Sequence, residues 1–160
     1  MSAASVARRA RQAVALRLHD IRTLAGYNTD MGLYVSTGRI APTADALSVG
    51  PAVTVYTPSE EFIEPSGNQQ RIALSITVEA FAAYLDDPDT VADDLLADLK
   101  TALLRAAQPA LTDAEGPIGQ RLAYVSADID LPDPGEQMVM VTVTLRCPYF
   151  ELYGSPNLTH

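Results

Sequence analysis

Residues 71–84 read RIALSITVEAFAAY and decide the fold expected of this chain. Apolar residues alternate with small or polar ones over eight positions of this stretch, which predicts a long β-strand with one buried face. Residues 88–107 follow with apolar side chains at helical spacing, after Asp87, which can cap a helix, and Pro88, which suits its first turn. A strand and a helix of similar length, about 30 Å each, can lie across each other and share one core.

The composition is typical of a globular protein, with 48% hydrophobic and 19% charged residues in a chain of 160. The one cysteine, Cys147, rules out an internal disulfide and a cysteine-rich zinc site within one chain. No apolar run approaches the roughly 18 residues that span a bilayer, and no apolar segment typical of a secretory signal follows the first arginines. We therefore expect a protein of a reducing cytoplasm without membrane contact.

Charge is unevenly distributed along the chain. Residues 1–40 hold six arginines against two aspartates, whereas residues 41–160 hold five basic and eighteen acidic groups, and the formal net charge is −9. A body this acidic is expected to repel nucleic acid rather than bind it. The basic N-terminal part is therefore the candidate for contact with an acidic partner.

Residues 2–25 form a predicted amphipathic helix, because apolar side chains recur on one face up to a terminating glycine. Arg8, Arg11 and Arg22 share one flank of that face, and Arg17 projects from within the apolar arc. Two interpretations stay open at this point. Either Arg17 snorkels to solvent and the other arginines are simply solvated, or the four form a basic stripe that docks on an acidic partner.

Two segments are expected to protrude from the domain. Residues 57–70 form a predicted polar loop with a Gly-Asn turn signal, and a loop of that length is usually functional or disordered. Phe62 and Ile63 in its middle either fold back onto the domain or dock on a neighbour. Residues 148–160 show no regular pattern and either pack on the sheet or form a free arm.

The candidate contact residues are basic, or are apolar and aromatic residues outside the predicted core. Leu104 interrupts the polar arc of the second helix, where an apolar side chain is either incidental or part of a subunit contact. The complete candidate set is Arg8, Arg11, Arg17, Arg22, Phe62, Ile63, Leu104, Tyr149, Phe150 and Tyr153.

The predicted order of elements is helix, strand, strand, long strand, helix, strand, strand. Residues 39–50 and 111–120 are predicted loops, and a proline-rich turn at 132–135 joins the last two strands into a hairpin. Because strands and helices do not alternate regularly, a doubly wound parallel sheet is not expected. We predict one α+β domain over residues 1–160, with a mostly antiparallel sheet and two main helices packed on one face.

Catalysis is not indicated by the residues present. The two histidines, His19 and His160, lack an orienting partner nearby in the sequence, and Cys147 is interpreted as a small buried residue at the end of a strand. Neither a glycine-rich phosphate loop nor a G-x-S-x-G elbow occurs. Paired aspartates lack EF-hand spacing and are interpreted as a solvated acidic face. We predict a protein that is not an enzyme and that holds no metal and no cofactor.

Several recognisable sequence segments follow one another along the chain. The first helix runs into GYNTD at 26–30, and a short strand then ends with Gly38-Arg39. PAVTV at 51–55, the long alternating strand, an acid-led helix and a hairpin ending in a Val-x-Val-x-Leu strand with Tyr149 follow. Over nearly the full chain, this layout resembles the tail terminator (tail completion) proteins of tailed bacteriophages.

The resemblance implies an α+β subunit that forms a hexameric ring on the last ring of the tail tube. Such a ring stops tube growth, offers a surface to the head-completion or connector protein, and lets genomic DNA pass without sequence-specific binding. The implied partners are further copies of the chain, the tail tube protein, the connector and, in a contractile tail, the sheath protein. The implied location is the tail–neck region of the virion, after assembly in the host cytoplasm.

Two other functions compete with this expectation. A head–tail adaptor on the connector side would also form a ring of similar subunits. A monomeric binding module or enzyme of unknown ligand would instead show a pocket lined by converging polar groups.

Overall fold

A mostly antiparallel sheet carries its main helices on one face in the computed structural model, which describes residues 4–84, 86–131, 133, 135 and 137–159. The predicted α+β class is confirmed, with additional short elements between the expected ones. The helices are α1 (Val6–His19), α2 (Ala44–Val49) and α3 (Pro88–Leu103). The strands are β1 (Val35–Thr37), β2 (Ala52–Ser66), β3 (Gln69–Ala83), β4 (Ala110–Asp113), β5 (Gly116–Arg121), β6 (Ala123–Asp130), β7 (Met138–Leu152) and β8 (Ser155–Thr159).

The large sheet has the strand order β1-β2-β3-β7-β6, and β8 pairs with the end of β7. β1 and β2 run parallel, whereas the other pairs in this sheet are antiparallel. The predicted long strand is β3, which pairs along its whole length with β7, from Gln69 opposite Leu152 to Ala83 opposite Met138. β4 and β5 form a separate two-stranded sheet.

One face of the sheet forms the core. Val139, Val141, Val143 and Leu145 are buried at alternate positions of β7, while the residues between them are at least partly exposed. These side chains join one hydrophobic cluster with the inner faces of α1 and α3 and with the β4–β5 pair. Each Å² of apolar surface that is buried stabilises the fold by about 25 cal/mol. We therefore take this alternating face as the main source of stability.

Both main helices are shorter than the sequence pattern predicts. α1 begins after Ser5, whose hydroxyl accepts a hydrogen bond from the backbone N–H of Arg8, and it ends at His19 rather than at residue 25. The chain then turns back, and the N–H of Gly32 donates to the carbonyl of Ile21 at 3.0 Å. A β-carbon at Gly32 would lie 2.7 Å from the carbonyl oxygen of Leu18, so only glycine allows this close approach.

The predicted loop at residues 57–70 is wrong, because these residues form the outer part of a β2–β3 hairpin whose strands stay paired up to its turn. We call residues 57–70 the distal hairpin. Two register shifts, between Tyr56 and Ser59 and between Phe62 and Glu64, break the period of two that would have revealed a strand. Its prolines are tolerated because β1 pairs only with the first part of β2 and leaves the outer edge unpaired there.

Other segments without a sequence pattern are also ordered. Residues 148–160 are not a free arm as far as they are described, since β7 continues to Leu152 and β8 folds back against it. The predicted loop at 111–120 contains β4 and β5, and the predicted loop at 39–50 contains α2. The predicted turn at 132–135 and the last residue of the chain lie partly or wholly outside the described residues.

A buried arginine joins the two main helices. Arg17 of α1 is buried and donates hydrogen bonds of 2.7 Å to the backbone carbonyls of Leu103, Gln108 and Ala110. Carbonyls at a helix C-terminus have no partner within the helix, so Arg17 caps α3 and fixes the chain that leads into β4. α3 accordingly stops at Leu103 rather than continuing to residue 107 as predicted.

A buried carboxylate fixes the turn after α1. Asp98 of α3 is buried and accepts hydrogen bonds from the backbone N–H and the side chain of both Asn28 and Thr29, at 2.8 to 3.0 Å. The carboxylate therefore accepts four hydrogen bonds and has no ion pair among the described residues. A buried charge without a counterion needs such hydrogen bonds to offset the loss of water. The GYNTD segment is held to α3 by this contact.

Replacing Arg17 with methionine should lower the free energy of unfolding by about 3 kcal/mol, because one buried and two partly buried carbonyls lose a charged donor. Urea denaturation followed by circular dichroism measures this value. The matched control is Arg11→Met on the same helix, where Arg11 is half-buried and makes no side-chain hydrogen bond or ion pair within the described residues. A loss within about 0.5 kcal/mol is expected for that control. Equal effects of the two variants would show that Arg17 does not cap α3.

Candidate assembly surfaces

The ten predicted contact residues differ widely in exposure. Arg8, Phe62, Leu104 and Tyr153 are exposed, and Arg11, Arg22, Ile63 and Phe150 are half-buried. Arg17 and Tyr149 are buried and use their polar atoms within the subunit. Because both side chains are buried and hydrogen-bonded within the subunit, we interpret them as positioning residues rather than as contact residues. Arg17 thus neither snorkels nor belongs to a basic stripe.

The distal hairpin is an arm held rigid by charged pairs across its strands. Arg71 of β3 lies 3.3 Å from Glu64 of β2, and Arg146 of β7 lies 3.4 Å from Glu61 of β2, across the intervening strand β3. These pairs are exposed, so each contributes at most about 1 kcal/mol, but together they fix the direction of the arm. Phe62 remains 54% exposed on this arm. A large aromatic side chain exposed on an ordered strand is typical of a contact surface.

The base of the distal hairpin is tied to β7 by a polar network. The hydroxyl of Tyr149 donates to Glu60 Oε2 at 3.0 Å and lies 3.5 Å from Glu151 Oε2. Gln70 Nε2 donates to Glu151 Oε1 at 2.6 Å. Burial and the neighbouring carboxylates raise the pKa of Tyr149, so this hydroxyl stays protonated and remains a donor over the physiological range. The arm and the end of β7 therefore move as one unit.

Arg9 is a functional position that the helical pattern of the sequence missed. It is buried, and its guanidinium donates two hydrogen bonds to Asp113, at 2.6 and 2.7 Å, which lower the pKa of that carboxyl. Glu115 lies within 3.6 Å of the same guanidinium. The partners are 104 residues apart in sequence, so no local signal relates them. The contact fixes α1 to the β4–β5 pair.

The grooves of the surface are shallow and lack an array of catalytic groups. A groove of about 400 Å³ lies beside the N-terminal part of α3 and is bordered by Leu33, Tyr34, Val49 and Asp94. A second groove of about 300 Å³ lies at the C-terminal end of α3, beside Leu104. Within the described residues, no three His, Cys, Asp or Glu side chains are placed to hold a metal ion together.

Cys147 lies in the core, where its thiol is nearly inaccessible. Burial raises its pKa to about 11, and the nearby charge of Arg17 offsets that effect only in part. A thiol with this pKa is protonated at neutral pH and is a poor nucleophile. The residue is therefore a packing element of β7.

Comparison with known proteins bears on the fold. No family model matches the chain, and no curated protein matches it. Among solved structures, a chain of the "Virion of native gene transfer agent (GTA) particle" superposes with a TM-score of 0.59, at 16% sequence identity, over 86% of this chain and 92% of the other. The fold is shared with a virion component. At this identity the similarity is one of fold alone.

The virion comparison covers 86% of this chain and 92% of the other, so the likeness extends over most of the fold. None of the helices described here has the length and apolar content needed to cross a bilayer.

The thiol of Cys147 should not react with Ellman's reagent at pH 8 in the native protein, because about one thiol in a thousand is ionised at a pKa near 11. In denaturing urea it should react completely. A variant that carries a second cysteine at the exposed position 125 is the control, and it should release one equivalent of the chromophore without denaturant. Reaction of native Cys147 at the rate of the control would contradict its burial.

Proposed function

We propose that this protein is a tail terminator, a structural virion protein whose subunits form a ring on the end of a tail tube. The observation that supports the proposal most is the fold shared with a gene transfer agent virion chain, over 86% of this chain and 92% of the other. The resemblance of the sequence layout to the tail terminator proteins of tailed bacteriophages is a second, independent support. In this proposal the ring is a homohexamer that ends tube growth and then receives the head connector.

The distal hairpin suits contact with a neighbouring ring or tube. Its strands are paired up to the turn, and it carries Phe62 as an exposed aromatic residue. An ordered arm loses little conformational entropy on binding, so most of the energy of burying Phe62 would appear as affinity. Residues Ile63 and Phe150 near it are half-buried and could complete the contact.

The charge of the chain is compatible with passage of DNA. Each subunit carries a formal net charge of −9, so a ring of six would repel the phosphate backbone from its inner surface. DNA would then slide through the ring without being held. No sequence-specific contact with the genome is part of the proposal.

The first experiment is mass determination of the purified protein together with negative-stain imaging. A ring of about six subunits with a central hole, or a monomer that binds the ends of purified tail tubes, supports the terminator. Binding to purified portal or connector and not to tube ends would favour a head–tail adaptor. A monomer that binds neither would overturn both ring functions and leave a binding module.

Phe62→Ser should reduce binding to tube ends by more than about tenfold, because an aromatic anchor is lost from the contact. Its stability should change little, since the side chain is exposed. Binding is measured by counting capped tube ends in micrographs as a function of protein concentration.

The matched control is Leu24→Ser, which also replaces an exposed apolar side chain but lies in the turn after α1. That variant should cap tubes like the unaltered protein. Normal capping by Phe62→Ser would remove the distal hairpin from the proposed tube contact.

A further inference from the structure

The sheet has two free edges, and they are of different character. On one side β6 is the last strand, with no strand beyond it among the described residues. Val125, Ile129 and Leu131, on β6 or directly after it, are between 43% and 55% exposed. An exposed edge strand with apolar side chains invites pairing with another chain and is normally covered or protected. We call β6 with residue 131 the acidic edge.

The name follows from its charges. Asp128 and Asp130 alternate with these apolar residues, and both are exposed. Neither carboxylate has an ion pair or a side-chain hydrogen bond within the described part of the chain. A surface on which unpaired carboxylates alternate with apolar side chains is complementary to one on which arginines stand beside apolar side chains.

Such a surface lies at the opposite edge. Arg39 and Ile40 follow directly after β1, the last strand on that side, and both are exposed. The guanidinium of Arg39 stacks over the ring of Tyr56 at 4.8 Å, and it makes no ion pair among the described residues. The stacked ring fixes the direction of the charge and leaves its N–H groups available.

The first helix adds to this edge. Arg9 and Arg17 contact β4 and the end of α3, so their flank of α1 faces the interior of the helix layer. At about 100° per residue, Arg8 and Arg11 lie roughly 100° to 180° around the helix from Arg9 and Arg17, on the flank away from the contacts with β4 and α3. α1 also packs against β1. Their side chains make no ion pair within the described residues. We call Arg8, Arg11, Arg39 and Ile40 the basic edge.

We propose that the acidic edge of one copy docks on the basic edge of a second copy of this chain. The two surfaces are different and lie on opposite sides of one sheet, so the contact is head-to-tail and generates a ring when its rotation closes. Contacts between two like edges would place charges of the same sign together and are disfavoured. The inference rests on the proposed ring function and specifies which surfaces build the ring.

The test uses charge reversal on each surface separately. Asp128→Lys with Asp130→Lys reverses the acidic edge, and Arg8→Glu with Arg39→Glu reverses the basic edge. All four side chains are exposed, so the fold should survive both changes. Each variant alone should assemble more than about tenfold more weakly than the unaltered protein, in solution or on tube ends.

A mixture of the two variants gives the decisive result. A reversed acidic edge fits a reversed basic edge, and each variant also retains one unaltered surface. An equimolar mixture should therefore regain assembly, and native mass spectrometry should find rings with equal numbers of the two chains. One chain that carries all four substitutions should also assemble. The control is Asp86→Lys with Asp93→Lys, which changes the net charge by the same amount as the acidic-edge reversal at two exposed positions that belong to neither edge as defined here, and it should assemble normally.

The outcomes separate the inference from the function. If the unaltered protein assembles and both reversals assemble equally well, the edge contact is wrong and the ring function stands. Weakened variants that the mixture fails to restore would also overturn this pairing of edges. If the unaltered protein forms no ring and caps no tube, the proposed function and the edge contact both fall.

Discussion

The contact on which the rest of the structure depends is that between Arg17 and three backbone carbonyls. A buried guanidinium without a carboxylate partner is unusual, and burial lowers the pKa of Arg17 from its ordinary value. Its charge is stabilised because Leu103 lies at the C-terminal end of α3, where the helix dipole is negative and carbonyls lack partners. One side chain thus satisfies three acceptors and fixes α1 against α3 and β4. Asp98 of α3 has the opposite charge and holds the turn after α1. Its carboxylate accepts four hydrogen bonds from Asn28 and Thr29.

These internal contacts determine which charges the protein presents to others. Because Arg9 and Arg17 fix the rotation of α1 about its own axis, Arg8 and Arg11 are left on the outward flank. The distal hairpin shows the same division. Tyr149 is buried and donates a hydrogen bond to Glu60, while Phe62 is exposed. Buried polar residues therefore fix the orientation of their elements, and exposed residues on or beside the same elements form the candidate contact surfaces.

The sequence predicts the helices and strands that show a regular hydrophobic period. It predicts few of the contacts between residues that are far apart in the chain. β3 and β7 were predictable because one face of each strand is buried at every second residue. The distal hairpin was not, because two register shifts and its edge prolines remove the period while the strand pairing persists. Arg17 was visible as an arginine within an apolar arc, but its acceptors lie 86 to 93 residues away. Arg9 and Asp113 gave no signal at all, since nothing local relates residues so far apart. The candidate contact residues were chosen by residue type alone. The structure shows that one of them, Tyr149, is buried, whereas Phe62 is exposed.

The distribution of polar groups favours assembly over chemistry. An active site gathers titratable side chains around a cavity, whereas the buried polar groups here, Arg9, Arg17, Asp98 and Glu151, each bind another segment of the same chain. This use of buried charge makes the subunit rigid, from the α1–α3 pair to the base of the distal hairpin. Rigidity has a physical benefit in a ring, because each subunit must make two contacts at a fixed angle and closure fails when that angle varies. A subunit whose edges and arm are held by its own polar contacts loses little entropy when it assembles. In the proposed ring, the same interactions that fold the chain would therefore also prepare it to bind its own copies.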